Sequence, residues 1–353
     1  MPDSAPDISE ALARYPRETL TRLPTPLHSL PTHGAQLDID LWIKRDDLTD
    51  IALGGDKPRK LEYEIAAARA NGADTLVTCG SAQSNHTRLT AAAARRVGMA
   101  CSVVLSDDQY RALQGNLLTV HLLGADITIV DTADHWDLEQ HAFDRCAQID
   151  AAGGHAHYIP VSGTTPTSLL GYVSAGLEIA DQLDDQGISL DAIYAPFGTG
   201  GVFTGTMLAL RERGIDCPLV GISVNRDRAT CEENLDHWWS AACELLDLPP
   251  DRPRGPYELH DAYIGREYGD PTEAGLDAIL AMGESEGILL DPVYSGKVTA
   301  GLLDHAAKHR WPAGSSILLI HTGGVPALFA YHEAIEAHLR KRGRLDHWPP
   351  AAK

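Results

Sequence analysis

The chain has 353 residues, of which 44% are hydrophobic and 22% are charged. This composition is typical of a globular protein large enough for two domains and excludes a disordered chain. The formal net charge of −20 disfavours a nucleic-acid partner, because phosphate binding needs a concentrated basic surface.

Features of membrane and secreted proteins are also missing from the sequence. No segment approaches the ~18 consecutive apolar residues of a membrane helix, and the acidic N-terminus does not resemble a secretory signal. The 6 cysteines are widely spaced and form no Cys-x-x-Cys pair, which disfavours a zinc site or a disulfide framework. We therefore expect a cytoplasmic protein with reduced cysteines and without a metal, membrane or nucleic-acid partner.

Short apolar runs alternate with amphipathic stretches of helical length, which predicts an α/β protein with largely parallel strands. The predicted strands are 75–79, 101–105, 127–130, 192–195, 219–223 and 316–320. The predicted helices are 59–71, 87–97, 113–123, 136–152, 168–183, 202–213, 228–246, 271–286, 296–309 and 325–340. Several strands run into glycine-rich or polar turns followed by a helix, and such turns are where α/β proteins bind ligands.

The segment LGGDKPRKLEY, residues 53–63, contains a lysine between a glycine pair and a proline. Glycine and proline both restrict the local backbone, which favours a lysine held in a fixed position. Because a positioned amine can form a Schiff base with a carbonyl, Lys57 is a candidate for covalent catalysis. The alternative is a helix N-terminus whose cations lie on the surface.

Two further turns join a predicted strand to a predicted helix. In CGSAQSNHTR, residues 79–88, Ser84, Asn85 and His86 lie near a helix N-terminus, which favours binding of an anion such as a carboxylate. The alternative is simple helix capping. In APFGTGGVFTG, residues 195–205, the glycines allow backbone N–H groups to surround a phosphate; the alternative is a tight turn without a ligand.

Together these segments resemble the pyridoxal-phosphate enzymes of the tryptophan-synthase-β fold, called fold type II. More closely, they resemble the branch that contains 1-aminocyclopropane-1-carboxylate deaminase and D-cysteine desulfhydrase. The resemblance runs from KRDDL, residues 44–48, to the turn that begins at His321. It implies an α/β fold with open parallel sheets in two domains: a small domain of residues 60–163, inserted into a large cofactor-binding domain of residues 1–59 and 164–353. The family commonly forms homodimers.

The resemblance implies that pyridoxal 5'-phosphate is the cofactor. Lys57 would form the Schiff base and shuttle the proton, and the turn from Gly198 to Val202 would hold the phosphate with help from Lys60. Asn85 would hydrogen-bond the ring hydroxyl, and Ser295 would meet the pyridine nitrogen. The implied cofactor residues are Lys57, Lys60, Asn85, Gly198, Thr199, Gly200, Gly201, Val202 and Ser295.

The substrate implied by the resemblance is a small amino acid. Ser84 and neighbouring backbone N–H groups would hold its carboxylate, whereas Tyr268 and Tyr294 would face its side chain and could assist proton transfer. The implied catalytic residues are Lys57, Ser84, Tyr268 and Tyr294. The implied substrate-binding residues are Ser84, Asn85, His86, Thr164, Thr165 and Ser168.

Two positions favour one reaction within the branch. The deaminase pattern has glutamate and glutamine where this chain has Ser295 and His86. A neutral hydroxyl beside the ring nitrogen gives a weaker electron sink than a carboxylate, which suffices when a good leaving group departs directly. We therefore expect α,β-elimination from a β-substituted three-carbon amino acid, as in D-cysteine desulfhydrase, giving pyruvate, ammonia and sulfide.

Other functions stay open on the sequence. A cysteate sulfo-lyase would release sulfite, with His86, Thr164, Thr165 and Ser168 as sulfonate donors, although the last three could merely cap a helix. 1-Aminocyclopropane-1-carboxylate deaminase and a non-catalytic amino-acid- or cofactor-binding protein are further alternatives. Asp56 stands where the family pattern has asparagine, and its role does not follow from the sequence.

Overall fold

The structure is a computed structural model that describes residues 7–107, 112–132 and 135–348. Its strands are β1 (Leu27–Ser29), β2 (Asp40–Arg45), β3 (Thr75–Ser81), β4 (Ala100–Ser106), β5 (Asp126–Val130), β6 (Ala156–Ile159), β7 (Ala192–Phe197), β8 (Leu219–Ser223), β9 (Tyr257–His260) and β10 (Ser316–His321).

The helices of the described residues surround these strands. They are α1 (Ile8–Ala13), α2 (Pro31–Leu37), α3 (Lys57–Ala70), α4 (Asn85–Arg96), α5 (Gly115–Leu122), α6 (His135–Ala151), α7 (Pro166–Gln186), α8 (Gly201–Glu212), α9 (Arg228–Leu245), α10 (Glu273–Glu286), α11 (Ser295–Ala307), α12 (Ala327–Ala330) and α13 (His332–Lys341).

The strands form two separate sheets. The larger has the order β1-β2-β10-β7-β8-β9 and is parallel except for β1. The smaller has the order β5-β4-β3-β6 and is entirely parallel. The predicted α/β fold with largely parallel strands is therefore confirmed.

Burial explains why the central strands are apolar along their whole length. Every residue of β7 and β8 is buried, because helices cover both faces of a parallel sheet. One core cluster joins these strands to α7, α8 and α9, and another fills the opposite face together with α10 and α11. A third cluster lies within the smaller sheet and its helices α3, α4 and α5.

The smaller sheet spans residues 75–159 and therefore lies inside the predicted small domain of residues 60–163. The limits of the two domains stay a prediction. Among the described residues, no helix has the length and hydropathy to cross a bilayer.

The six predicted strands are all present, but four strands were missed. β1, β6 and β9 have only three or four residues each, too short for a periodic pattern to stand out. The predicted final helix is two helices, α12 and α13, separated at Tyr331. Helix α3 begins at Lys57, two residues before the predicted start, with Pro58 in its first turn, a position that proline favours.

Candidate active site

A cavity of about 830 Å³ lies at the carboxyl ends of strands from both sheets. Residues at or just after the ends of β3, β4, β7, β8 and β10 line it: Gly80, Ser81, Ser106, Gly198, Asn225 and Thr322. Ligands bind to α/β sheets at this edge, because the turns between strands and helices converge there.

A turn of unusual backbone geometry leads to Lys57. Four consecutive residues have positive φ angles, from 41° at Ala52 to 135° at Gly55, a region that non-glycine residues enter at a cost. The hydroxyl of Thr49 fixes the end of the turn, since it accepts a hydrogen bond from Gly55 N at 2.9 Å and donates one to Gly55 O at 2.8 Å. The strained turn thus gives Lys57 a defined place at the start of α3.

The amine of Lys57 is paired with the carboxylate of Asp56 inside the cavity. Lys57 Nζ donates to Asp56 Oδ2 at 2.7 Å and to Oδ1 at 2.9 Å. The two side chains are 13% and 6% exposed, and both residues line the cavity. Backbone pairing fixes Asp56 in turn, because its N–H donates to Thr322 O at 3.0 Å.

A buried arginine on α4 ties the Lys57 turn to the smaller sheet. The Arg88 guanidinium donates to Gly54 O at 3.0 Å and also to Ala52 O, while its Nε donates to Asn116 Oδ1 at 2.6 Å. Burial lowers the pKa of Arg88 to about 10, and the nearby Asp56 carboxylate acts in the opposite direction. The guanidinium stays charged at neutral pH and satisfies carbonyl groups that the turn leaves unpaired.

The glycine-rich turn before α8, residues 198–202, has the geometry of a phosphate cradle and is called the cradle below. Gly200 has φ of 97° and precedes the first residue of the helix, so backbone N–H groups converge at the helix N-terminus. A β-carbon on Gly201 would lie only 3.0 Å from Lys60 Nζ, and therefore the lysine amine reaches the cradle directly.

The amine of Lys60 is buried beside hydroxyl groups. It donates to Thr164 Oγ1 at 3.0 Å, and Thr164 Oγ1 lies 2.7 Å from Thr199 Oγ1. Burial, reinforced by the charge of Lys57, lowers the pKa of Lys60 to about 7. A phosphate in the cradle would supply the anion that this amine lacks, so the residues present fit a phosphorylated cofactor.

Ser84 and Asn85 lie at the start of α4 and line the cavity. Ser84 Oγ caps the helix by accepting a hydrogen bond from Thr87 N at 3.4 Å. Asn85 Oδ1 accepts from Asn116 Nδ2 at 2.9 Å, which leaves the NH₂ end of the Asn85 amide for a ligand.

His86 lines the cavity, but its ring nitrogens face threonine hydroxyls. Nε2 lies 2.9 Å from Thr78 Oγ1, and Nδ1 lies 3.5 Å from Thr90 Oγ1. Burial and the charges of Lys57 and Lys60 hold the pKa of His86 well below its usual value, so the ring is neutral.

Thr165 and Ser168 form a reciprocal capping box at the N-terminus of α7. Ser168 N donates to Thr165 Oγ1 at 3.0 Å, and Thr165 N donates to Ser168 Oγ at 2.8 Å. Neither residue lines the cavity, so the structure brings them into the helix cap and not to the cavity wall.

Two tyrosines meet at the far side of the cavity. The hydroxyl oxygens of Tyr268 and Tyr294 are 2.6 Å apart. Burial, with the neighbouring Tyr268, Asp291 and Asp56, raises the pKa of Tyr294 well above its usual value. The Tyr294 phenol therefore stays protonated and can act as a hydrogen-bond donor.

Ser295 follows Tyr294 but turns toward a buried carboxylate. Its hydroxyl donates to Asp291 Oδ1 at 2.6 Å and accepts from Asp291 N at 2.7 Å. Asp291 also accepts from the backbone N–H groups of Val293, Tyr294 and Ser295. Ser295 does not line the cavity.

Sequence reasoning missed several lining residues, among them Thr322, Asn225, Arg226 and Glu267. Arg226 Nε and Asn225 Oδ1 are buried and have no hydrogen-bond partner among the described residues. The available signal for Asn225, Arg226 and Thr322 was their position just after β8 and β10, whose carboxyl ends share one edge of the sheet. Glu267 lies in the loop between β9 and α10.

The fold and this cavity define a cofactor-dependent enzyme. A family model described as "Pyridoxal-phosphate dependent enzyme" matches residues 18–323, and the chain belongs to this family. Its cofactor is pyridoxal phosphate.

Within the family, proteins named D-cysteine desulfhydrase match nearly the whole of this chain. A D-cysteine desulfhydrase from Serratia proteamaculans is 36% identical over 337 residues, which cover 93% of this chain and 100% of the relative. A D-cysteine desulfhydrase from Salmonella newport is 37% identical over 326 residues, or 91% of this chain and 98% of the relative.

Solved structures show the same fold. One described as an ACC deaminase homologue has a TM-score of 0.86 and 35% identity, and the match covers 95% of this chain and 100% of that one. Threonine deaminase isoform 2 from Solanum lycopersicum has a TM-score of 0.68 at 17% identity and covers 95% of this chain; at that identity the likeness concerns the fold alone.

Proposed function

We propose that this enzyme catalyses α,β-elimination from a β-substituted three-carbon amino acid, in the manner of D-cysteine desulfhydrase. The products would be pyruvate, ammonia and the leaving group, which is sulfide when the substrate is cysteine. The observation that carries the proposal is the Lys57 amine in a cavity shared with the phosphate cradle and with Ser84. Relatives of that name match nearly the whole chain.

The proposed cofactor contacts come from both sides of the cavity. The turn from Gly198 to Val202 and the Lys60 amine would hold the phosphate, and the Asn85 amide would donate to the ring hydroxyl. Ser295, expected from the sequence beside the ring nitrogen, bonds to Asp291 and does not line the cavity, so its contact with the ring stays a prediction. Pyridoxal phosphate, when bound, supplies the carbonyl for the Schiff base and the electron sink for the substrate.

The proposed substrate contacts come from the N-terminus of α4 and from Tyr268 and Tyr294. The N-terminus of α4, with Ser84, would bind the substrate carboxylate, because free N–H groups and the helix dipole favour an anion. Lys57 would remove the α-proton. Tyr294, whose phenol stays protonated, would donate a proton to the departing β-substituent, and Tyr268 would hold Tyr294 in place.

A substrate panel tests this proposal. Purified holoenzyme is incubated with D- and L-cysteine, cysteate, β-chloroalanine, serine and 1-aminocyclopropane-1-carboxylate, and pyruvate, 2-oxobutyrate and ammonia are measured. We expect equal amounts of pyruvate and ammonia from cysteine and β-chloroalanine. Absence of pyruvate with every β-substituted alanine would support a non-catalytic binding protein. Formation of 2-oxobutyrate would support the deaminase, a function compatible with the 35% identical neighbour.

A second candidate function is release of sulfite from cysteate, and Arg226 favours it. This arginine lines the cavity, its Nε is buried without a partner, and it forms no ion pair with another described residue. A guanidinium matches the oxygens of an anionic group, and a sulfonate on the substrate side chain would supply one.

The variant Arg226→Met separates the two candidates. If cysteate is the substrate, the variant loses at least tenfold in kcat/KM for cysteate but keeps its activity toward β-chloroalanine. The control is Arg228→Met, because Arg228 is nearby but exposed and faces Glu232. Equal losses for both substrates, or wild-type activity of Arg226→Met toward cysteate, would remove the support for this candidate.

We also propose a homodimer in the cytoplasm. Leu118 and Leu122 on α5 and Phe329 on α12 are exposed, and α12 packs against α5, which gives an apolar surface for a second copy. All six cysteines are free, as expected in a reducing compartment. Light scattering on the purified protein tests the dimer: the mass should be twice that of the chain, and Leu122→Glu should reduce it. A wild-type monomer would contradict it.

A further inference from the structure

Among the described residues, the Asp56 carboxylate forms hydrogen bonds only with the Lys57 amine. The family pattern has asparagine at this position. Here both carboxylate oxygens bond to Lys57 Nζ, at 2.7 and 2.9 Å. Asp56 precedes α3, yet its side chain makes no helix-capping hydrogen bond. The carboxylate is therefore dedicated to the lysine amine.

The Asp56–Lys57 pair lies among other charged and titratable groups. The cations of Lys60 and Arg88 interact with the Asp56 carboxylate, and the phenols of Tyr172 and Tyr294 also lie within its field. The titratable and charged groups that interact with Asp56 or Lys57 are Lys60 on α3, His86 and Arg88 on α4, Tyr172 on α7 and Tyr294 on α11. His86 is neutral because burial holds its pKa well below the usual value.

We propose that Asp56 is a catalytic carboxylate that stabilises the ammonium form of Lys57 during proton transfer. The inference rests on the proposed role of Lys57 as the cofactor lysine and as the base. When Lys57 takes the α-proton, a bond forms between that proton and Nζ, and the electron pair of the broken C–H bond stays with the substrate. The new ammonium then lies against a carboxylate and not against a neutral amide.

The contact between Asp56 and Lys57 should also hinder formation of the Schiff base. An amine attacks a carbonyl only in its neutral form, so a carboxylate that favours the ammonium shifts the rate of Schiff-base formation to higher pH. An enzyme with asparagine at this position would take up its cofactor covalently at lower pH but would give a weaker proton acceptor. Replacing Asp56 with asparagine should therefore favour Schiff-base formation at lower pH but slow removal of the α-proton. Separate measurements can detect these two effects.

The first test is the pH at which covalent attachment of added pyridoxal phosphate to the apoenzyme reaches half its maximal rate, followed by visible absorption. We expect this midpoint to fall by about one pH unit in Asp56→Asn, the lower end of the effect of an adjacent opposite charge. Asp56→Glu should restore the wild-type midpoint. The matched control is Asp50→Asn, which removes an equal charge from the same loop at a residue paired with exposed Arg22, and it should leave the midpoint unchanged.

The second test is exchange of the substrate α-proton with deuterated solvent, followed by NMR. We expect Asp56→Asn to slow this exchange about tenfold, corresponding to one unit of the same effect. An unchanged midpoint together with an unchanged exchange rate would overturn the proposal. If Asp56→Asn fails to fold, Asp56→Ser provides the same comparison. The midpoint requires no turnover, so it still decides the role of Asp56 if no substrate yields pyruvate.

Discussion

Lys57 and Lys60 lie one helical turn apart and face the same cavity, yet their surroundings differ. Lys57 has a carboxylate partner, whereas Lys60 bonds only to the hydroxyl of Thr164 among the described residues. Burial and the charge of Lys57 lower the pKa of Lys60 to about 7. Near neutral pH the Lys60 amine therefore gains or loses its charge according to whether an anion is present.

This property predicts a pH-dependent anion site in the cofactor-free enzyme. Sulfate, which does not titrate near neutral pH, should bind to the cradle and lose affinity as the pH rises through about 7, because Lys60 then loses its proton. Lys60→Met should bind sulfate at least tenfold more weakly and without this pH dependence. Calorimetry at a series of pH values measures both effects. A wild-type affinity that does not vary with pH would contradict the role of Lys60.

Individual residues of the cavity were predicted best where they belong to one continuous motif. Lys57, Ser84, Asn85 and the Gly198 turn each lie within a short segment between a strand and a helix, and the structure brings all four to one cavity. Arg226 and Thr322 also line it, but the sequence assigned no role to either, although Thr322 lies in the turn that begins at His321. Their position depends on the strand order of the larger sheet, which local sequence does not determine.

Among the elements, the turn before α11 depends most on a single buried side chain. Asp291 accepts hydrogen bonds from three successive backbone N–H groups and from the Ser295 hydroxyl. The turn carries Tyr294, so its geometry sets the position of the phenol in the cavity.

Replacing Asp291 should therefore reduce both stability and activity. Asp291→Ala leaves several buried donors unsatisfied, and we expect it to lower the free energy of unfolding by about 3 kcal/mol, since each such donor costs about 1–3 kcal/mol. Urea denaturation measures this loss, and the elimination rate should fall with it. Asp227→Asn, an exposed cap of α9, should have little effect because asparagine caps equally well. Similar stabilities for the two variants would contradict this account of the turn.

The strands that were not predicted from the sequence are short or only partly buried. β9 is short and mostly half-buried, so its residues show neither a continuous apolar run nor a clear alternation. The capping box of Thr165 and Ser168 had been one of two alternatives on the sequence. Capping and ligand binding use the same residue types, and only the positions of the side chains distinguish them.

In the whole molecule, the cavity receives residues from both sheets. Gly80 and Ser81 end β3 of the smaller sheet and Ser84 follows it, whereas Gly198 and Thr322 follow strands of the larger one. A cofactor bound in this cavity would therefore contact residues of both sheets and hold them together.

Cofactor removal should accordingly destabilise the protein as a whole. A ligand that binds only the folded state contributes about 2.7 kcal/mol at roughly 100 times its Kd. We expect the apoenzyme to unfold at lower temperature and to be cleaved faster by protease than the holoenzyme. Lys57→Ala, which cannot form the Schiff base, should gain less from added pyridoxal phosphate. Identical melting curves for the apoenzyme and holoenzyme would contradict a cofactor site between the two sheets.

At the largest scale, the sequence predicted the α/β fold because alternating strands and helices leave a strong periodic signal. The division into two sheets is visible in the structure, whereas the predicted domain limits at residues 59/60 and 163/164 stay untested. Those limits fall at the start of α3 and just before α7, where the chain passes from one sheet to the other.

The proposed active site requires that Lys57, and no other lysine, carries the cofactor. Lys60 and Lys297 are also buried, and burial lowers the pKa of Lys60 to about 7 and that of Lys297 to about 8, so each is chemically capable of forming a Schiff base. Reduction of the holoenzyme with borohydride, followed by mass spectrometry of its peptides, identifies the attached residue directly. We predict that the reduced cofactor is found on Lys57 and is lost in Lys57→Ala. Attachment to Lys60 or Lys297 would contradict the proposed site.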